Sequence, residues 1–237
     1  MTAKMQHLSV RGVDVVLEAA DGVFMPSPNG LFYADAVAVH SGERVLDIGT
    51  GSGLLAILAA RAGGRVEATD TDPRTIPAAR RNAALNDVEI GFRLGSLFAG
   101  SGDCYDVILA NLPNEIVPPA HLAGLDEADA RVFAGGALGN ELILALLEEA
   151  GEHMHAASRL YLPVHTLTDY HATLAAALGR YRLRLVSLSP LKVKPFVTDH
   201  LDFYRRLDEA GTIRLFQRGG DWYSYGYIYE ATAVPTP

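Results

Sequence analysis

The stretch Val45-Leu46-Asp47-Ile48-Gly49-Thr50-Gly51-Ser52-Gly53-Leu54 decides the fold of this chain. The apolar segment Arg44–Ile48 has the length and composition of a buried strand, and it runs directly into three glycines spaced two residues apart. A helix predicted over residues 54–62 follows at once. Glycines let the backbone turn tightly and bring a ligand against main-chain N–H groups at a helix N-terminus. The stretch therefore predicts a strand–loop–helix unit that binds a small ligand.

Apolar segments of strand length recur after this loop, and helical segments separate most of them. This alternation favours an α/β fold with a doubly wound, mostly parallel sheet of seven strands. Only a loop and a short helix lie between residues 188 and 222, so we expect the C-terminal strand to pair antiparallel. The predicted strands cover residues 44–48, 65–69, 90–94, 105–110, 159–164, 183–188 and 222–231.

The N-terminal part of the chain precedes the alternating pattern. Period-two alternation at residues 13–18 and 23–25 predicts a β-hairpin around Asp21-Gly22, and a short helix is predicted at residues 31–40. We expect residues 1–40 to form this hairpin and a helix on the substrate side. Residues 41–237 then form the domain that carries the glycine loop, with an insertion at residues 195–220.

Composition excludes several classes of protein. The 237 residues are 49% apolar and 20% charged, which is ordinary for a globular protein and excludes wholesale disorder. The single cysteine, Cys104, excludes a disulfide framework and a cysteine-rich zinc site, and we expect no metal. No apolar run reaches the roughly 20 residues that a membrane span needs, and we find no apolar signal core near the N-terminus. We therefore predict a soluble, cytoplasmic protein without a membrane partner.

The charge of the chain is unevenly distributed. A net charge of −8 weighs against a general nucleic-acid binder. Residues 180–218 nevertheless contain nine basic and four acidic side chains, a local excess of five positive charges. A solvated face is the simplest interpretation, and the alternative is a docking surface for an acidic partner or a phosphate-bearing substrate. His165, predicted just beyond a strand, and His200, in the insertion, are further candidates for substrate contact.

Two carboxylates indicate which ligand the glycine loop binds. Asp70 ends the strand after the loop, about 20 residues beyond Gly49, where a carboxylate can accept both hydroxyls of a ribose. A dinucleotide fingerprint needs two spacers before its third glycine, but Leu54 stands at that position here. Asp47 would repel a pyrophosphate and can pair with an ammonium group. These features favour S-adenosylmethionine, which has an amino-acid tail, a ribose and no phosphate. An NAD(P)-dependent oxidoreductase and a catalytically inactive binding subunit are the alternatives.

At these residues the chain resembles the class I S-adenosylmethionine-dependent methyltransferases, over roughly residues 23–188. The resemblance implies a Rossmann-like methyltransferase domain in residues 41–237. It also implies that the first motif holds the methionine part of the cofactor, at Asp47, Gly49, Thr50, Gly51 and Gly53. Asp70 would bind the ribose, and Thr71 would lie beside the adenine. The strand end at Ser96 and Leu97 would meet the adenine amino group.

The segment Asn111-Leu112-Pro113-Asn114 resembles the Asn-Pro-Pro-Tyr loop of methyltransferases that act on amide or exocyclic amine nitrogens. Methyl transfer is an in-line displacement, so the enzyme mainly has to align and desolvate the nucleophile. The resemblance implies that the Asn111 side chain and the Leu112 carbonyl accept the two N–H bonds of the acceptor nitrogen, and that Asn111 also contacts the cofactor. Leu112 replaces a proline and Asn114 replaces the aromatic residue of that loop. We predict Asn111, Pro113 and Asn114 as the catalytic residues.

Two further segments resemble the release-factor glutamine methyltransferases, the HemK-like branch. Residues 23–27 contain a proline just before the first helix, and Gly135-Gly136-Ala137-Leu138-Gly139 precedes a helix after the acceptor loop. The resemblance implies glutamine of a protein as one acceptor. Asn114, the absence of a helical N-terminal domain and the insertion favour a small molecule instead, and nucleic acid is the third choice. The predicted activity is N-methylation of an amide or amine, on a small molecule or a protein side chain.

Overall fold

The computed structural model describes residues 4–125, 130, 133 and 135–234. Its strands are β1 (Met5–Val10), β2 (Val13–Glu18), β3 (Arg44–Ile48), β4 (Arg65–Asp70), β5 (Gly91–Leu94), β6 (Tyr105–Ala110), β7 (Met154–His165), β8 (Tyr181–Lys192), β9 (Phe216–Arg218) and β10 (Asp221–Ala233). The helices within these residues are α1 (Pro28–Ala36), α2 (Leu54–Arg61), α3 (Thr75–Leu85), α4 (Pro119–Leu122), α5 (Glu141–Glu149), α6 (Tyr170–Leu178), α7 (Pro195–Asp199) and α8 (Leu201–Glu209).

The central sheet has the strand order β5-β4-β3-β6-β7-β10-β8. Neighbouring strands from β5 to β7 are parallel, and β10 runs antiparallel between β7 and β8. This order confirms the predicted doubly wound α/β fold with its C-terminal antiparallel strand. The short strand β9 pairs with the start of β10 as an eighth strand, which the sequence did not indicate because its three residues show no alternation of apolar and polar side chains.

Helices cover both faces of the sheet, as parallel strands buried on both sides require. Helices α1 and α2 contribute to one apolar layer, and α5 and α6 contribute to the other. Strand β3 lies between the layers: Leu46 and Ile48 belong to one layer and Val45 to the other. This division follows from the period of two along a strand, which sends successive side chains to opposite faces.

The N-terminal hairpin differs from the predicted one. Strand β2 is where the alternation indicated, but its partner is β1, and the two join at Arg11 and Gly12, both with positive φ. Residues 23–25 are not a strand, so the prediction of a hairpin around Asp21-Gly22 was wrong. They lead instead into α1, which begins at Pro28 rather than residue 31 because the Ser27 hydroxyl accepts a hydrogen bond from Gly30 N at 3.2 Å and caps the helix.

The hairpin is attached to the rest of the fold through two asparagines. Asn82 belongs to α3, and Asn86 is the residue that follows α3. Asn86 accepts from Val16 N at 3.0 Å and donates to Val16 O at 2.7 Å. Asn82 accepts from Glu18 N at 2.7 Å and also donates to Ser52 O at 2.9 Å. These side chains pair with β2 as a neighbouring strand would, so the edge of β2 finds partners without joining the central sheet. The division of the chain at residue 40 stays a prediction.

The insertion, residues 195–220, forms a small unit with its own apolar cluster. Helices α7 and α8 contribute Phe196, Val197 and Tyr204, which pack with Ile116 and Val117 beyond the end of β6. The Tyr204 hydroxyl is fully buried and donates to Ile116 O at 2.7 Å. The insertion therefore lies against the segment that follows Asn111.

Strand β7 begins earlier than the predicted residue 159. Helix α5 ends at Glu149, a 3₁₀ turn covers Ala150–His153, and β7 begins at Met154. The early start of β7 is explained by its pairing, because Met154 lies opposite Tyr105 of β6. Within the described ranges, no helix combines the length and the apolar content that crossing a membrane requires.

Candidate functional site

The site lies where the strand order reverses. Strands β4 and β5 follow β3 on one side, and β6 returns to its other side. In open α/β sheets the crevice beyond the carboxyl ends of the strands at such a point is the usual ligand site. A cavity of about 340 Å³ opens there. Nine of the predicted site residues line it: Gly49, Gly51, Asp70, Thr71, Ser96, Leu97, Asn111, Pro113 and Asn114.

The glycine loop has the backbone that only glycine adopts readily. Gly49 and Gly51 have φ of +70° and +54°. A Cβ on Gly49 would lie 2.7 Å from Leu112 Cδ2, and one on Gly51 would lie 3.2 Å from Phe24 O. The N–H groups of Gly49 and Thr50 donate to Thr69 O at 2.8 and 2.9 Å, which fixes the loop to β4. Side chains at these two glycines would displace the neighbouring segments and fill the cradle.

Asp47 supports the loop from the interior. Its carboxyl group is fully buried; one oxygen accepts from the Thr50 hydroxyl at 2.7 Å, and Oδ1 has no partner in the part of the chain that the structure describes. Burial raises the pKa of Asp47 to about 7. Asp47, Thr50 and Gly53 are not among the residues that line the cavity. An unpartnered carboxylate oxygen beside the loop suits a cationic donor, as the ammonium group of a methionine moiety would be.

Asp70 is positioned at the cavity wall by two main-chain donors. Its Oδ2 accepts from Gly51 N and its Oδ1 from Asp72 N, both at 3.0 Å. Burial raises the pKa of Asp70. Each carboxylate oxygen retains acceptor capacity, so the two hydroxyls of a ribose can both donate to it. The position at the end of β4 is the one that the sequence predicted.

The end of β5 carries an unusual backbone conformation. Leu97 has φ of +46°, and its buried side chain lines the cavity beside Ser96. A branched residue in the left-handed region costs about 1–2 kcal/mol. The Leu97 carbonyl accepts from the Thr69 hydroxyl at 3.4 Å, which ties the turn to β4. Strain of this kind persists where the surrounding structure holds it and often marks a ligand site.

The acceptor loop, residues 111–115, enters the same cavity from the end of β6. Asn111 lies against α1, where its Nδ2 would be 3.3 Å from a Cβ on Gly30. The glycine segment 135–139 holds this loop from behind. A Cβ on Gly139 would lie 2.6 Å from Ile116 N, and one on Gly135 would lie 2.9 Å from Pro113 O. The structure therefore brings the three predicted catalytic residues, Asn111, Pro113 and Asn114, to the predicted cofactor residues.

The sequence missed several polar and aromatic residues of the cavity, among them Glu115, Phe133 and Lys194. Glu115 is buried, and its oxygens contact Asn29 Nδ2 at 3.4 Å and Lys194 Nζ at 2.5 Å. Phe133 lines the same space. Glu115 directly follows the predicted segment Asn111–Asn114, so its position was a signal that could have been used. Nothing in the sequence links residue 194 to residue 115.

His165 and His200 lie outside the cavity lining, and Lys194 is the one base of the 180–218 segment that belongs to it. His165 is buried at the end of β7, where Nε2 lies 3.3 Å from Ser224 Oγ and Nδ1 has no partner among the described residues. Burial lowers its pKa. His200 Nδ1 lies 2.9 Å from Phe196 O within the insertion. Five bases of the 180–218 segment pair with acidic side chains, which disperses much of the local charge: Arg180, Arg184, Lys192, Lys194 and Arg214.

Comparison with known proteins identifies relatives of the segment that carries this site. Residues 30–138 match the family described as ribosomal protein L11 methyltransferase (PrmA). The L11 methyltransferase of Thiobacillus denitrificans is 43% identical over 126 residues, 51% of this chain and 38% of the relative. That of Dictyoglomus turgidum is 37% identical over 118 residues, 48% of this chain and 40% of the relative. The matches thus span about two fifths of these relatives. The HemK-like branch is not confirmed.

Solved structures show the same fold. The T. thermophilus 16S rRNA N2 G1207 methyltransferase (RsmC), in complex with AdoMet and guanosine, matches with a TM-score of 0.60 at 15% identity, over 99% of this chain and 52% of that one. The ribosomal protein L11 methylase of Lactobacillus delbrueckii subsp. bulgaricus matches with a TM-score of 0.53 at 21% identity, over 89% and 81%. The sheet order and these matches show that the chain has the Rossmann-like methyltransferase fold, and its residues 30–138 are similar to the methyltransferases of ribosomal protein L11.

Proposed function

We propose that this protein transfers a methyl group from S-adenosylmethionine to a nitrogen of an amine- or amide-bearing acceptor. One observation carries the proposal: Asn111, at the end of β6, lines the same cavity as Gly49, Gly51 and Asp70. A cofactor site and a hydrogen-bonding group for a nitrogen nucleophile thus share one crevice. S-adenosylmethionine supplies an electrophilic methyl group on its sulfonium.

The residues of the chain then have separate roles. The glycine loop accommodates the methionine part, and the charge of Asp47, behind the loop, attracts the ammonium group of that part. Asp70 accepts the ribose hydroxyls, with Thr71, Ser96 and Leu97 around the base. The Asn111 side-chain oxygen and the Leu112 carbonyl accept the two N–H bonds of the acceptor and turn its lone pair toward the methyl group, which is alignment rather than covalent catalysis.

A protein side chain is our first candidate for the acceptor. Residues 30–138 supply most of the cavity lining, and the relatives of this segment are named ribosomal protein L11 methyltransferases. A small molecule is the second candidate, because Lys194 lines the cavity from outside that matched segment, just before the insertion. Mass spectrometry for a product 14 Da heavier separates the two, with ribosomal-protein peptides and a metabolite extract as the parallel substrates.

Calorimetric titration with S-adenosylhomocysteine tests the cofactor site. We expect saturable binding, and absence of binding at high micromolar ligand would refute the proposal.

Asn111→Ala tests the acceptor site, because removing one positioned hydrogen-bonding group lowers turnover by about 10²-fold. Its affinity for S-adenosylhomocysteine should stay within threefold of the wild type, whereas Asp70→Asn should lose that affinity. Full turnover in Asn111→Ala would contradict the assignment of Asn111.

A further inference from the structure

A carboxylate and two aromatic rings surround an ammonium group at the wall of the cavity. Lys194 Nζ lies 2.5 Å from Glu115 Oε2, and 5.7 and 5.9 Å from the ring centres of Phe133 and Phe196. Glu115, Phe133 and Lys194 line the cavity that also holds Asn111. The Glu115 side chain is only 8% exposed, so its negative charge needs a cation beside it.

These groups provide the chemistry that recognises an ammonium ion. The carboxylate supplies a full opposite charge and a strong hydrogen-bond acceptor. The ring faces attract a cation through their quadrupole, whether the nitrogen carries hydrogens or methyl groups. A site of this kind therefore binds the cationic forms of an amine and of its methylated product. The nucleophile itself is the neutral amine, which forms when the ammonium group gives up a proton to solvent.

The two partners of the ion pair are held very differently. Glu115 belongs to the acceptor loop, and its second oxygen is fixed by Asn29. The backbone beside it is packed against Gly139, so the carboxylate has little room to move. Lys194 instead reaches the site through a flexible four-carbon chain, and about a third of its side chain is exposed to solvent. The acid is thus the fixed part of the site and the lysine the replaceable part.

We propose that Glu115, Phe133 and Phe196 form the binding site for an ammonium group of the acceptor, and that Lys194 is the internal ammonium that the acceptor replaces. The inference rests on the proposed function, because it requires an amine-bearing acceptor. It names Glu115 as a residue that selects cationic acceptors over neutral amides and over anions. When the acceptor's ammonium pairs with Glu115, the Lys194 side chain moves into solvent, where its charge is hydrated.

The test uses two probes of equal length and opposite charge, n-butylammonium and butyrate, titrated by ligand-observed NMR with S-adenosylhomocysteine present. Lys194→Met removes the internal ammonium and keeps an apolar chain. We expect it to bind n-butylammonium at least tenfold more tightly than the wild type. The double variant Lys194→Met/Glu115→Gln should lose that gain. Lys192→Met is the matched control, because Lys192 lies two residues from Lys194 along the chain, is exposed and pairs with Asp221.

Each outcome bears on the proposal. Butyrate binding to the wild type, lost in Lys194→Met, would show an anion site and overturn it. Equal affinity of Lys194→Met and the wild type for n-butylammonium would also overturn it, and would reduce the ion pair to a structural contact. If the double variant does not fold, Lys194→Met/Phe133→Leu replaces it. Loss of the tighter n-butylammonium binding in that variant would again support the site. Failure of S-adenosylhomocysteine to bind any variant would instead count against the proposed function.

Discussion

Single residues set the electrostatics of the cofactor site. Asp47 and Asp70 were both predicted from their positions relative to the glycines, and both carboxyl groups have raised pKa values because they are buried. Asp47 is the more extreme, since one of its oxygens has no hydrogen-bond partner among the described residues. A cation placed beside such a buried acid favours its ionised form. The binding of a cofactor ammonium group would supply that cation.

This predicts a pH dependence of cofactor affinity. The folded pKa of Asp47, about 7, lies above its unfolded value, so the empty protein loses stability as pH rises from about 4 to about 7 and no further above that. Pairing with an ammonium group favours the ionised form, so affinity for S-adenosylhomocysteine should rise between pH 5.5 and 7.5. Asp47→Asn should bind about tenfold to 100-fold more weakly, since it loses a charged partner.

Calorimetry across this pH range measures the effect. In Asp47→Asn, the logarithm of the affinity for S-adenosylhomocysteine should rise less steeply with pH, by up to one proton. The dependence that remains belongs to Asp70, whose pKa is also raised. Asp103→Asn is the control, because Asp103 is exposed and pairs with Arg44 at the opposite edge of the sheet. An unchanged slope in Asp47→Asn would contradict the assignment of Asp47.

At the scale of elements, the acceptor loop depends on segments that are distant in sequence. The glycine segment 135–139 packs on its main chain, and the buried Tyr204 hydroxyl of α8 donates to Ile116 O just beyond it. The sequence singled out the glycine segment only through its resemblance to the release-factor glutamine methyltransferases, in which such a segment follows the acceptor loop along the chain. The requirement for glycine at residue 139 is steric, because any side chain there would meet backbone atoms that cannot move aside.

Gly139→Ala should therefore disturb the acceptor loop and spare the cofactor site. Gly139 has φ of +70°, and its Cβ would lie 2.5 Å from the Glu115 carbonyl carbon. The matched control is Gly42→Ala, which has φ of +85° and no atom within 4 Å of its Cβ. Both should lose about 1–2 kcal/mol to backbone strain, and Gly139→Ala should lose about 2 kcal/mol more to the close contacts.

Chemical denaturation gives the free energy of unfolding of both variants, and turnover and cofactor affinity complete the comparison. We expect Gly139→Ala to lose turnover while its affinity for S-adenosylhomocysteine stays near that of the wild type. Gly42→Ala should keep both. Equal stability losses in the two variants would show that the packing of Gly139 on the acceptor loop is unimportant.

At the scale of the whole molecule, the parts outside the parallel sheet are attached by specific side chains. The N-terminal hairpin is bound through Asn82 and Asn86, whose amides pair with the backbone of β2. The insertion is attached through its own apolar cluster. Both additions therefore contact elements that also form the cavity, since α3 follows the Asp70 turn and the insertion packs beyond Asn111.

Asn86→Ala tests how strongly the hairpin is attached. Removing this amide leaves the Val16 N–H and carbonyl without their partner, and an unsatisfied buried polar group costs about 1–3 kcal/mol. We expect a loss of that size in the free energy of unfolding by urea. Ser9→Ala, at an exposed position of β1, should change it by less than about 0.5 kcal/mol. Similar losses in both variants would mean that the hairpin is held mainly by apolar packing.

The sequence by itself determined the parallel sheet, the glycine loop and the positions of Asp47, Asp70 and Asn111. These depend on local patterns: apolar runs of strand length, glycine spacing and residues at strand ends. It did not determine the partner of β2, because the turn at Arg11-Gly12 carries an arginine in a conformation that its sequence does not signal. Only the tertiary structure brought Glu115, Phe133 and Lys194 to one wall of the cavity, since side chains far apart in the chain meet through the packing of whole elements.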